Sequence, residues 1–348
     1  MDTRMLALEK ARPEPGARLV ERPVPEPGPG QVLVQVTTAS ICGTDVHIYE
    51  WNEWARARLT VPRVFGHEFC GRLVSVGPGV NPAEFQPGTY VTAEMHMACG
   101  RCYYCRTGQS HICQDVRIGG IDADGSFAQY VAVPAANVWK LDPSIPEEVA
   151  SILDPLGNAV HTALSVPLTG RHVLVTGCGP IGLISVAIAR MAGAASITAT
   201  DVSAYRRELA SRLGARALDP REGVLPRMLE QTDGLGADVV LEMSGHPTAI
   251  RDGLSSLKKG GEMVLLGLPG EPVALDLGEG IIFKEITLRG INGRRIFQTW
   301  YQVQALLQAG LDIRPVITHR FPLERYQEAF ELAASGQCGK IILVPPQP

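Results

Sequence analysis

The stretch from His172 to Asp201 restricts the possible folds more than any other. It reads as a short apolar run, "HVLVTG", a glycine turn, "GCGPIG", a long apolar helix, "PIGLISVAIARMAGA", and a second short run, "SITATD". A strand that ends in such a turn and feeds a helix leading to another strand is a βαβ unit, whose strands lie parallel. The alternation continues with "AYRRELASRLGA" as helix, "ADVVLEMSG" as strand, "PTAIRDGLSSLKKGG" as helix, "EMVLLGL" as strand and "EITLRGI" as a closing strand. This pattern predicts an α/β domain built on a doubly wound parallel sheet.

The turn at Gly177 to Gly182 also predicts a ligand. Gly177 permits the tight turn, Gly179 lets the backbone approach a pyrophosphate, and Gly182 lets helix and strand pack closely, while the helix N-terminus offers free N–H groups to phosphate. Asp201, at the end of the second strand, is placed to accept hydrogen bonds from the adenine ribose hydroxyls and to repel a 2′-phosphate. NAD is therefore expected rather than NADP, although Arg206 nearby is a residue type that can accommodate that phosphate.

The first third has a different texture. Alternating runs such as "QVLVQVTTAS" and "GRLVSVG" stand between turns such as "PGPG" and "GPGV", which predicts a β-rich domain. A chain of 348 residues exceeds what one core usually serves, about 250–300 residues. Two domains are expected: residues 1–153, completed by about 296–348, and residues 154–295. After the parallel sheet, "TWYQVQALLQAGLD" reads as a helix, and the tail ends in a strand that could rejoin the first domain.

The net charge of −4, with no block of like charge, argues against polyanions and acidic membrane surfaces as partners and favours a small-molecule ligand. No secretory leader is visible, and the uncharged run from Val173 to Ala189 is broken by Gly177, Gly179, Pro180 and Gly182, so no membrane segment and a cytoplasmic location are expected. In that compartment the eight cysteines are better suited to metal or catalysis than to disulfides.

Two groups stand out. Cys99, Cys102, Cys105 and Cys113 follow the spacing C-x2-C-x2-C-x7-C. Four thiolates close a tetrahedron around Zn²⁺ and leave no open position, which predicts a structural ion. The last gap and the following Gln114 do not match ferredoxin spacing, and a zinc ribbon for nucleic acid lacks the basic stripe it would need. Cys42 and His67, with Glu68, form the second group: three ligands and an open position make a catalytic zinc site. Neighbours in a strand point opposite ways, so ligation by both His67 and Glu68 needs a bend, which Gly66 and Gly71 would allow; otherwise Glu68 supports the metal from behind. Asp154 could alternate with Glu68 or orient a water. Cys70, Cys178, Cys338, His161 and His172 read as structural.

The order "CGTDVH", "GHE", four-cysteine lobe and glycine turn, over essentially the whole chain, resembles the zinc-dependent medium-chain alcohol dehydrogenases. The resemblance implies a GroES-like catalytic domain and a Rossmann domain, zinc ligation by Cys42, His67 and Glu68, and an assisting role for Asp154, where many relatives carry Glu. It places Ile181, Asp201, Arg206, Leu266, Gly267, Leu268, Ile291 and Asn292 at NAD-contact positions, with Cys178 where alanine is usual. A proton relay through Thr44 and His47 is expected. "SICGTDVHIYEWNEWA", "DPLGNAVHTAL" and "GINGRRIFQTWY" are similar to those members that oxidise L-threonine at its β-hydroxyl as homotetramers; a polyol or secondary-alcohol substrate is the alternative. Arg294 or His96 is expected to meet the substrate carboxylate, and Glu68 or Asp154 its ammonium.

Overall fold

The computed structural model describes residues 3–347, which divide into two compact units. The first holds the described residues up to Asp154 together with Ile317–Ser335 and those from Lys340 onward; the second holds Pro155–Val316 and Gly336–Gly339. The return to the first unit falls at Ile317, not near 296. Helix Gln298–Gln308 buries Trp300 and Val303, and the short turn Arg314–Val316 after it packs against the helices Pro180–Met191 and Ala204–Arg212, which keeps residues 296–316 with the second unit.

In the first unit a seven-stranded sheet is organised around strand Gln31–Ser40. Its β-branched residues Val32, Val34 and Val36 are fully buried, as expected for side chains that pack well on a pleated surface. Strand Glu68–Val76 pairs antiparallel with it in a register that sets Glu68 opposite Ser40. The C-terminal strand Lys340–Val344 pairs with the same end, Ile342 opposite Ser40. Residues remote in sequence are thereby gathered at one sheet end.

The second unit carries a six-stranded parallel sheet. Strand His172–Thr176 lies between Ser196–Thr200 and Ala237–Glu242; outside these lie Arg216–Leu218 on one side, and Leu257–Leu265 then Thr287–Gly290 on the other. The winding direction reverses between His172–Thr176 and Ala237–Glu242, the place where such sheets open a ligand crevice. The helix expected over "PTAIRDGLSSLKKGG" stops at Ser256, and Leu257 already begins a strand. Gly260 has φ +71, and a Cβ at Gly261 would stand 3.0 Å from the Lys258 carbonyl, conditions that end a helix. Among the described residues no helix is long and apolar enough to cross a membrane.

Candidate active site

At the end of strand Gln31–Ser40 the chain turns into helix Gly43–Glu50, with Cys42 extended at its N-cap. Asp45, three residues on, accepts the Cys42 N–H through Oδ2 at 2.9 Å and so fixes the cysteine backbone. Gly66 has φ +89, and a Cβ there would lie 2.6 Å from the Phe127 ring. This left-handed residue supplies the bend that two adjacent ligands require. Ligand atoms of Cys42, His67 and Glu68 all lie within 4.8 Å of one another.

The donor set fits a zinc ion. His67 Nδ1 and Glu68 Oε1 are buried without a hydrogen-bond partner, a costly arrangement unless another group takes up the lone pairs. The electrostatics agree. Burial disfavours the His67 cation, yet Asp45, the Cys42 side chain and Asp154 together raise its pKa to about 10. Burial pushes the Asp45 carboxyl up to about 6 against the pull of His67. Such surplus negative charge in a buried pocket suits a divalent cation.

Glu68 is itself held. Its Oε2 accepts the Ser40 hydroxyl and the Lys340 ammonium, and Lys340 Nζ also donates to the Ile41 carbonyl at 2.8 Å. Lys340 and Ser40 escape the sequence reading; the one signal is a lysine heading the otherwise apolar run "KIILV". Asp154 does not close with Cys42, His67 and Glu68 into one group. Its carboxylate lies within 4.8 Å of ligand atoms of Glu94 and His96, a second group that sequence spacing does not reveal. Thr44 and His47 occupy the helix one turn apart, Thr44 half-buried and His47 exposed, with His47 Nδ1 2.9 Å from Asn52 Nδ2.

The four sulfurs of Cys99, Cys102, Cys105 and Cys113 also lie within 4.8 Å of one another. Cys102 and Cys105 are 3.5 Å apart, far beyond the S–S bond length of about 2.05 Å. Backbone N–H groups point at the sulfurs, from Cys99 and Asp115 to Cys113 and from Cys102 to Cys99. Hydrogen bonds from the Cys105 and Gln114 backbone lower the Cys102 pKa to about 6. Thiolates gathered and solvated by amides match a closed tetrahedral ion site.

In the second unit Gly177 has φ +91, and a Cβ on Gly182 would stand 1.9 Å from the Gly177 carbonyl oxygen. Both glycines are therefore required by close approach. Asp201 accepts the Cys178 N–H at 2.8 Å and the Ser203 N–H at 2.8 Å, which presents its carboxylate at the turn. A cavity of about 590 Å³ opens here, lined by Gly177, Gly179, Asp201 and Arg206 among others. Arg206 Nε donates to the Cys338 carbonyl at 3.3 Å. Ile181, Gly182, Leu266, Gly267, Leu268, Ile291 and Asn292 are not among its lining residues. Gly267 is a packing position, since a Cβ would fall 2.1 Å from Gly245 N, and Leu268 is 90% exposed. Buried Glu242, absent from the sequence reading, accepts hydrogen bonds from Ser244 and Gly245 and so shapes a neighbouring loop.

Other expectations resolve into packing. His161 Nδ1 bonds to the Gly293 carbonyl at 3.0 Å and His172 Nδ1 to Ser196 at 2.7 Å. Cys70, Cys178 and Cys338 are buried. Arg294, 3% exposed, lies over the Trp300 ring at 5.8 Å within the second unit.

Residues 28–143 match the alcohol dehydrogenase GroES-like domain, and residues 180–309 match the zinc-binding dehydrogenase domain. An L-threonine 3-dehydrogenase of Symbiobacterium thermophilum is 52% identical over 349 residues, spanning 98% of each chain. Among solved structures, an alcohol dehydrogenase of Escherichia coli complexed with NADH has a TM-score of 0.89 at 28% identity, over 99% of this chain and 100% of its own. The 2R,3R-butanediol dehydrogenase of Bacillus subtilis reaches 0.88 at 27% identity, over 98% and 100%. With two metal-competent donor groups, a glycine-turn cofactor cavity and these likenesses in hand, the chain belongs to the zinc-dependent medium-chain alcohol dehydrogenase family.

Proposed function

We propose that the chain oxidises L-threonine at its β-hydroxyl to L-2-amino-3-oxobutanoate, with NAD as oxidant. The observation that carries this reading is the open Cys42–His67–Glu68 donor set, in a chain 52% identical along its length to an enzyme of that name. The diol-oxidising neighbour is only 27% identical, which leaves a polyol substrate less well supported. When bound, zinc supplies Lewis acidity to the substrate hydroxyl and NAD supplies the hydride acceptor.

The chain's own residues do the rest. Cys42, His67 and Glu68 hold the metal, and Cys99, Cys102, Cys105 and Cys113 hold a second, structural ion. Lys340 and Ser40 fix one oxygen of Glu68, which directs the other toward the donor set. The Thr44 hydroxyl accepts the alcohol proton and His47, exposed at the next turn, releases it to solvent. Gly177, Gly179 and the N-terminus of helix Pro180–Met191 receive the cofactor's phosphates, and Asp201 its ribose, with Ile181, Arg206, Leu266, Leu268, Ile291 and Asn292 as further contacts. Asp154 assists without being a constant ligand.

The enzyme is read as cytoplasmic, where its thiols stay reduced, and as a homotetramer. Strand Thr287–Gly290 is an exposed sheet edge, and Ile282 and Phe283, each 69% exposed, lie close to it in sequence. Such a bare edge and apolar patch suit a subunit contact.

Initial rates of NADH formation with L-threonine, D-threonine, L-serine, sorbitol and 2,3-butanediol test the reading. The value of kcat/KM for L-threonine is expected to exceed that for either polyol by at least about a hundredfold, roughly 2.7 kcal/mol of differential transition-state binding. A preference for a polyol would overturn the substrate while leaving the family intact.

A further inference from the structure

The second donor group contains two carboxylates and one imidazole. Glu94 follows strand Tyr90–Ala93, His96 opens strand His96–Met97, and Asp154 lies in the first turn of helix Leu153–Ala163. Glu94 and Asp154 are buried. The Glu94 carboxylate is rigidly placed: its Oε1 accepts the His96 backbone N–H at 2.9 Å and the His96 ring Nδ1 at 3.1 Å, and the Glu94 N–H donates to the Asn137 carbonyl at 2.8 Å. His96, expected from sequence to meet a substrate carboxylate, thus directs Nδ1 at an acid of its own chain. This group adjoins the metal donors, since Asp154 acts electrostatically on His67, and one side of the His96 side chain remains open, 33% exposed.

Two buried carboxylates against a single imidazole call for a further positive group. The substrate reading supplies one. In threonine the ammonium sits on the carbon next to the one that bears the hydroxyl, so a hydroxyl directed to the metal donors carries a cation into the adjoining space. A polyol carries none. We propose that Glu94, held in place by His96 and seconded by Asp154, receives the α-ammonium of the substrate and thereby selects amino alcohols over neutral diols and hydroxy acids. This inference rests on the threonine reading above.

The test uses full-length zinc-loaded enzyme with NADH bound, and two probes that each lack one charge of threonine. 1-Amino-2-propanol keeps hydroxyl and ammonium; 3-hydroxybutanoate keeps hydroxyl and carboxylate. Calorimetric Kd values are compared for wild type and Glu94→Gln, with KM for L-threonine measured alongside. The substitution is expected to raise the Kd of 1-amino-2-propanol and the KM of L-threonine by about 30-fold, the worth of a charge-assisted hydrogen bond. The Kd of 3-hydroxybutanoate should fall or stay within a factor of about three. Should Glu94→Gln not fold, Glu94→Asp, which withdraws the carboxylate by one methylene, is expected to give the same selective rise at smaller size.

An equal rise for both probes would overturn the proposal in favour of a merely structural role. So would a third metal ion per chain that Glu94→Gln removes, because the group would then be a cation site rather than an ammonium receptor. The substrate reading fails separately: wild type that prefers 2,3-butanediol to L-threonine refutes that reading whatever Glu94 does, whereas wild type that prefers L-threonine while both probes shift alike refutes only the role of Glu94.

Discussion

Replacing Cys42 with alanine is expected to lower kcat with L-threonine at least about a thousandfold, roughly 4 kcal/mol of lost transition-state stabilisation. The variant should lose one of its two zinc ions per chain and keep the other. Cys42 is the only sulfur of its donor group, and without it a histidine and a carboxylate remain, too few to hold a zinc ion with an open position. The four-cysteine group is assembled by its own backbone amides and does not depend on Cys42. Metal analysis beside steady-state rates separates the outcomes: loss of both ions would mean collapse of the domain, and full zinc content with full activity would refute the assignment.

The second large effect concerns stability. Lys340 and Glu68 form an ion pair with side chains 3% and 0% exposed. Removing one member of a buried pair leaves an uncompensated charge, at a cost on the order of 3–5 kcal/mol. Lys340→Met, close in volume but uncharged, should destabilise the metal-free protein by that amount in denaturant unfolding, and it also strips the Ile41 carbonyl of its donor. Pairing it with Glu68→Gln should recover part of the loss, because a neutral amide needs no cation; the double variant is then less unstable than the sum of the singles. A loss below about 1 kcal/mol for Lys340→Met would mean that the pair behaves as a solvated one.

Both expectations turn on residues that differ in how far sequence reveals them. Cys42, His67 and Glu68 are legible because ligand chemistry needs particular residue types, and Gly66 marks the bend that lets two neighbours serve one centre. The glycine turn and Asp201 are legible because their strand–turn–helix context is local. Lys340 is not, since it lies 299 positions from Ile41 and arrives only through strand pairing. Glu94 reads as an ordinary acid near a turn until folding brings Asp154 beside it. The segment beginning at Leu257 misleads because "LKKGG" has no β-branched residue, and its strand state comes from pairing with Ala237–Glu242 rather than from propensity. The second unit's hold on residues 296–316 is likewise a packing outcome, decided by the burial of Trp300 and Val303.

The account stands or falls on whether the Cys42–His67–Glu68 centre holds the ion that meets the substrate. The most direct measurement is the visible absorption of enzyme in which the ion at that centre is cobalt(II). The prediction is a thiolate-to-metal band that L-threonine shifts in the presence of NADH and that Cys42→Ala abolishes. A spectrum indifferent to L-threonine, or a shifting band that survives in Cys42→Ala, would contradict it.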